Sequence, residues 1–294
     1  MEPRLLLIDA TGLIFRAYYS ISMLTAPDGT PVNAVFGLVR MLLKIFRDVP
    51  ASASAITFDA GRATFRNQLY SAYKANRTEP PDQLRPQFSL AIETARATHA
   101  PVLVEAGLEA DDLIATLCER ATQRGMGVSI LTADNDLLQL LGPGVEIVMP
   151  QRAGEMKTYT AESFEAEYGF PVERFVDYKA LRGDTSDNIP GVVGIGEKGA
   201  AKLVSAYGKL EQLYANIELV KPDSVRAKLK AAKDDVFLYR ELVTLKRDCK
   251  VHYDFDARTL PNFGDELFLE ALAGMGFKRI CDDAAKLGDL QPQR

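Results

Sequence analysis

Three short apolar runs each lead to an acid, and this repetition constrains the fold more than any other feature. Arg4 to Asp9 is almost continuously apolar, Ala55-Ile56-Thr57-Phe58 leads into Asp59, and Val128-Ser129-Ile130-Leu131 is followed closely by Asp134 and Asp136. Runs of this length without polar alternation read as parallel strands covered on both faces. Pro101 to Val104 and Val145 to Met149 are further candidates. Helical spacing lies between the runs. It is clearest in Asn33 to Asp48, where Val35, Leu38, Val39, Leu42, Leu43, Ile45 and Phe46 share a face. Strand and helix in alternation predict an α/β domain with a mainly parallel sheet, whose ligands bind beyond the carboxyl ends of the strands. Asp9, Asp59, Asp134 and Asp136 all fall at that edge.

Asp134 and Asp136 are separated by one residue, and in an extended segment they would point the same way. Upstream, Glu109, Asp111 and Asp112 sit at a predicted helix start, where acids are favoured by the helix dipole. Five carboxylates within 28 residues repel one another unless a cation holds them, and oxygen-only ligands suit magnesium or manganese.

From about Tyr159 the strand patterns stop and helical ones dominate. The expected division is an α/β core over 1–158 and a helical region over 159–294. Within the latter, Asp184 and Asp187 precede a glycine-rich turn, Gly191 to Gly196, that opens a helix at Glu197. Glycines let backbone approach a ligand closely, and amides at a helix start bind phosphate. Lys198 and Lys202, one turn apart, add charge on the same face. Earlier, residues 62–85 interleave Arg62, Arg66, Lys74, Arg77 and Arg85 with Phe65, Tyr70 and Tyr73. That mixture suits a segment touching phosphates and stacking on bases, although a solvated helix and loop would also read this way.

The net charge of −5, taken as a sum, argues against a polyanionic partner. Setting aside the nine candidate metal-site acids leaves 31 Asp and Glu against 35 Lys and Arg, a balance of +4. No apolar run is long enough to span a membrane, and Leu5 to Ile8 is too short for a secretory signal, which points to the cytoplasm. Cys118, Cys249 and Cys281 are widely spaced and read as reduced, while His99 and His252 are too few for histidine-based metal or triad chemistry. The polar tail from Gly288 to Arg294 fits a chain cut from something longer.

Taken in order, these segments resemble the 5′-nuclease domain of bacterial DNA polymerase I, within the flap endonuclease family. The resemblance is carried by Leu6 to Asp9 with Phe15-Arg16-Ala17-Tyr18, Phe58-Asp59-Ala60, Phe65-Arg66 through Tyr73 to Arg77, Glu109 to Asp112, Thr132 to Leu137, and Gly183-Asp184 through Lys198. It implies a PIN-like nuclease core with a helical arch at about 62–85 and a helix-hairpin-helix at about 183–207. The metal set would be Asp9, Asp59, Glu109, Asp111, Asp112, Asp134, Asp136, Asp184 and Asp187, holding two magnesium or manganese ions. Asp111, Asp134, Asp136 and Glu109 would hold the tighter ion, and Asp184 and Asp187 the second.

The resemblance further implies that Lys74 and Arg77 reach the scissile phosphate. Phe15, Arg66, Tyr73, Gly191, Gly194, Gly196, Lys198 and Lys202 would contact DNA, with Tyr73 or Phe15 stacking on an unpaired base and potassium at the hairpin. The expected substrate is DNA with a 5′ flap, nick or 5′ end, cut by a monomer near the nucleoid in replication and repair, with a polymerase domain following in the full-length protein. The alternatives are a non-catalytic DNA-binding relative and a related ribonuclease; the latter lacks the hairpin region. Two positions depart from the family: Asn135 stands where lysine is frequent, and Ala10 where glycine is common.

Overall fold

β1 (Arg4–Asp9) runs through the middle of the molecule with Leu5, Leu6, Leu7 and Ile8 fully buried. Alternate residues of a strand face opposite ways, so Leu5 and Leu7 join one core while Leu6 and Ile8 join another. The chain continues through α1 (Ala10–Ser20) and α2 (Asn33–Asp48) and returns as β2 (Ala53–Phe58), parallel to β1. Next, α3 (Phe65–Leu69) and α4 (Arg85–Arg96) lead to β3 (Val102–Val104), parallel to β2. α5 (Ala110–Gln123) then carries the chain to the other side of β1, where β4 (Gly127–Leu131) and β5 (Val145–Pro150) extend the parallel sheet. β6 (Met156–Tyr159) closes the edge antiparallel to β5.

This architecture comes from a computed structural model describing residues 3–292 apart from Arg62 and Arg258. Arg62 of the basic segment, and Gln293 and Arg294 of the tail, thus lie outside the described residues. The strand order β3-β2-β1-β4-β5-β6 reverses direction between β1 and β4. Crossovers diverge at such a point and leave a crevice beyond the carboxyl ends. Asp9 ends β1 and Asp134 follows β4, so the crevice opens between acids. The mainly parallel, helix-flanked sheet is the one the apolar runs predict. β6 is the exception: only Tyr159 of its four residues is buried, so it forms no apolar run.

Beyond β6 the chain is helical: α6 (Ala161–Tyr168), α7 (Phe175–Arg182), α8 (Glu197–Tyr207), α9 (Leu210–Ala215), α10 (Asp223–Ala231) and α11 (Lys233–Val243). α7 packs between α8 and α11, and Phe164, Phe170, Phe175 and Tyr178 join the core of Leu5 and Leu7. α12 (Glu266–Gly274) and α13 (Lys278–Leu287) fold back against α4 and α2, placing Phe268, Leu272 and Ile280 in the core of Leu6 and Ile8. Among the described residues no helix is long and apolar enough to cross a membrane.

Candidate active site

Asp9 accepts hydrogen bonds from the Gly12 amide (3.0 Å), capping α1, and from the Thr132 hydroxyl (2.8 Å). Asp59, just past β2, accepts from the Ala110 amide (2.8 Å), while its own amide donates to Thr11 (2.9 Å). Glu109 occupies the N-cap position of α5 and puts Asp111 and Asp112 in the first turn, as expected from the sequence. The ends of β1, β2 and β4 and the start of α5 therefore converge on one crevice. Asp134 is held differently from expectation. The strand stops at Leu131, and Asp134 caps a 3-10 turn over Asn135–Leu140 by accepting the Asp136 amide (2.8 Å). The turn, rather than strand alternation, sets the pair.

Cations from distant segments meet several of these acids. Lys74 bonds Glu109 (2.5 Å), and Arg77 bonds Asp187 (2.7 Å). Lys179 of α7, almost wholly buried, lies between Asp136 and Asp184, reaching Asp184 at 2.6 Å. Asp136 and Asp184 are thus grouped together by Lys179, and Glu109 and Asp187 by Lys74 and Tyr73. Lys179 is the site residue that sequence reasoning missed. Its signal was a lysine among the buried residues of α7, on the same face as Phe175 four positions earlier. It brings to Asp136 a positive charge that Asn135, exposed on the turn, does not.

Arg66, Asp112 and Tyr73 sit differently from expectation. Arg66 is not at a DNA surface: it is 1% exposed, with both terminal nitrogens on Asp112 (2.7 and 2.8 Å) and Nε on the Leu242 carbonyl (2.8 Å). Asp112, which also accepts the Lys246 amide at 2.9 Å, is committed to that guanidinium. α3 packs Arg66 inward against α5, and a two-pronged pair satisfies both buried charges. Tyr73 is 3% exposed, and its hydroxyl lies between Asp187 (3.0 Å) and Glu109 (3.3 Å), so no ring face is free for a base. Phe15 is half-buried, edge-on to Phe88.

Electrostatics separates the acids into two groups. Burial would raise Glu109, but Lys74 and Arg66 outweigh it and hold the carboxyl below its usual value. Asp184 behaves likewise, held at about 2 against burial by Lys179 and Ser186. The other group has no ion-pair partner among the described residues. Burial, together with the charges of Asp59 and Asp134, outweighs hydrogen bonds from Gly12 and Thr132 and pushes Asp9 up to about 7. Asp111 rises well above the carboxylate range through burial and then Asp134, Asp9 and Asp59. Burial also raises Asp134, with Lys179 and Lys74 opposing.

As the side chains stand, no three His, Cys, Asp or Glu among the described residues cluster tightly enough to chelate one ion. The donor set nonetheless fits one. Nine acids face four paired cations, Arg66, Lys74, Arg77 and Lys179, so that when fully ionised they exceed those cations by five charges. All are hard oxygen donors, the type that magnesium and manganese take.

Directly after α7, flanking the loop that carries Asp184 and Asp187, Gly183 and Gly191 lie back to back with left-handed backbones; a Cβ on Gly191 would run into the Gly183 amide. This close approach fixes the turn that ends in Gly194 and Gly196 at the start of α8. Lys198 and Lys202 are exposed on that helix. Val192 and Ile195 anchor the hairpin in the core, and Gly191 is buried with them, while Gly194 and Gly196 are exposed beside the two lysines.

A parallel sheet with acids at its switch point, followed by a helical region with a glycine hairpin, defines a PIN-like nuclease fold. The profile described as "5′-3′ exonuclease, N-terminal resolvase-like domain" matches residues 4–169, and "5′-3′ exonuclease, C-terminal SAM fold" matches 170–265. The chain belongs to the 5′-3′ exonuclease family. It is 38% identical over 297 residues to the thermostable DNA polymerase I of Thermus filiformis, covering 99% of this chain and 35% of that protein. With DNA polymerase I of Bacillus caldotenax the identity is 37%, covering 96% of this chain and 32% of the polymerase. The chain thus spans about a third of the length of these relatives.

Among solved structures, the bacteriophage T5 D15 protein co-crystallised with metal ions superposes with TM-score 0.68 at 22% identity, covering 96% of this chain and 97% of that one. The Rad2 catalytic core in complex with DNA gives 0.61 at 15%, covering 97% and 92%. These structures share the fold.

Proposed function

We propose that this chain is a structure-specific 5′ nuclease that hydrolyses DNA phosphodiesters at 5′ flaps and 5′ ends with two divalent cations, magnesium or manganese. The observation that carries this reading is the gathering, at the β1/β4 crevice, of carboxylates without an ion-pair partner among the described residues, buried Asp9 with half-buried Asp111 and Asp134, each raised by its surroundings. The first ion would rest on Asp111, Asp134 and Glu109 with Asp9 and Asp59 beside it, and the second on Asp136, Asp184 and Asp187. When bound, the ions supply activation of water and neutralisation of the leaving oxygen.

The chain's own residues do the rest. Lys74 and Arg77, already beside Glu109 and Asp187, swing toward the scissile phosphate once the acids are neutralised, and stabilise its developing charge. The hairpin of Gly191, Gly194 and Gly196 with Lys198 and Lys202 grips duplex backbone without reading bases, with potassium on the hairpin as in the family resemblance. Where a polymerase domain follows this one, as in the polymerase relatives, the product nick lies within reach of synthesis.

A gel assay tests the reading: a 5′-labelled flap and a nicked duplex, each with magnesium, with manganese and with chelator. Cleavage with either metal and none with chelator is expected, and Asp134→Ala should abolish it while binding persists. Binding without cleavage in either metal would instead identify a non-catalytic relative.

A further inference from the structure

Two of the three non-glycine residues with left-handed backbone among those described face each other: Lys74 (φ +54°) and Asn188 (φ +58°). Asparagine tolerates this conformation better than most residues. Their loops are stitched together from both sides. The Lys74 amide donates to the Asp187 carbonyl (3.0 Å), and the Asn188 side-chain amide donates to the Ala72 carbonyl (2.7 Å). Asn76 donates to the Thr185 carbonyl (2.7 Å), and Arg77 to the Ser186 carbonyl (3.2 Å) and the Asp187 carboxylate (2.7 Å).

One of the two partners is anchored by its own backbone and the other by side-chain contacts. Asp184 and Ile189 exchange backbone hydrogen bonds (2.7 and 2.8 Å), and Gly183 against Gly191 pins the base of that loop. The 70–77 segment has local turn bonds, Tyr73 to Tyr70, Ala75 to Ala72 and Arg77 to Lys74, and side-chain ties to Asn67 and Glu109 through Tyr73 and Lys74. Asn188 is the side chain of the loop that holds backbone ahead of Lys74, where Asp187 meets only the Tyr73 hydroxyl; the Asn76 and Arg77 bonds come from behind it. It is also half-buried, whereas Asn76 is exposed.

We infer that Asn188 is a positioning residue that locks the 72–77 segment to the 184–189 loop, so that Lys74, Arg77 and Asp187 enter the site as one unit. A strand that displaces or orders the segment is thereby felt at Asp187 and Asp184. The purpose assigned to the unit rests on the nuclease reading; the lock itself does not.

The test uses the full chain with two variants. Asn188→Gly keeps the left-handed turn accessible and removes the amide. Asn188→Asp keeps shape and turn but sets an acceptor against the Ala72 carbonyl. Hydrogen exchange in chelator should rise about tenfold at residues 73–77 in Asn188→Gly, the loss of one hydrogen bond, and further in Asn188→Asp. Exchange in β1 and β4 should stay unchanged, confirming that both variants are folded. With flap DNA, kcat should fall more than KM changes, and the half-saturating magnesium concentration should rise.

Unchanged protection at 73–77 in both variants would overturn the lock. Loosened protection with kcat and magnesium dependence unaltered would overturn its positioning role. An inactive wild-type chain would sink the nuclease reading instead, leaving the exchange result to stand.

Discussion

Lowering the pH from 8 to 5 should stabilise the metal-free protein, the reverse of what paired surface acids would give. Asp9 is almost wholly buried and pushed up to about 7 from 3.8. Between those values the folded state keeps a proton that the unfolded chain has released, so stability falls as pH rises through the window. Integrated from pH 5 to pH 8, a single such group is worth about 3 kcal/mol. Asp111 and Asp134 move in the same direction, but the three are mutually coupled, so their contributions do not add. At this chain length about 3 kcal/mol corresponds to roughly 5 to 10 °C in Tm.

Glu109 and Asp184 act with the opposite sign. Their lowered values give stability that is present above the usual carboxylate range and lost as pH falls through it toward about 2. The chelated protein should therefore be most stable near pH 5 and weaken on both sides. Magnesium should flatten or invert the upper limb, because binding needs ionised carboxylates and grows as they deprotonate. Thermal unfolding between pH 4 and 8, with chelator and with magnesium, gives the measurement, and Asp9→Asn assigns the slope by reducing it. A chelated protein whose Tm is flat or rises from pH 5 to 8 would refute the claim that the crevice holds unmet charge.

Three further outcomes follow from the pairings. Lys179→Met leaves Asp136 and Asp184 without their shared cation, so the metal-free protein should lose about 3 kcal/mol. Its gain in Tm on adding magnesium should exceed that of the wild type; an equal gain would show that Lys179 does not stand in for a cation. Arg66→Met should destabilise the fold by about 3 to 5 kcal/mol by stranding buried Asp112. DNA affinity measured where the variant is folded should be unchanged, and weakened binding with normal stability would return Arg66 to the DNA surface. Lys74→Ala should lower cleavage by about a hundredfold or more, with a smaller effect on substrate affinity; equal losses in both would make Lys74 a binding residue.

What could be read from the sequence followed the range of the interaction. Strand and helix periods are local: Leu5 to Ile8 and the face of α2 announced themselves within a few residues, and the acids at strand ends came with them. The pairings were not legible, because Arg66 finds Asp112 46 positions away and Lys179 finds Asp136 43 away, and nothing in the local pattern of either cation names its partner. Cations interleaved with aromatics between residues 62 and 85 therefore looked like one exposed, DNA-facing set. The fold divides it: Arg66 turns into the interior beside α5, while Lys74 and Arg77 turn toward the crevice. The same logic changes the meaning of the Asp134–Asp136 spacing. A strand would have made the two acids equivalent, but the 3-10 turn makes Asp134 a cap in the unmet group and hands Asp136 to Lys179. The crevice thus has one half already neutralised by the chain's own lysines and arginines and one half, around Asp9, Asp111 and Asp134, that is neutralised by protons at low pH and by an added cation above it.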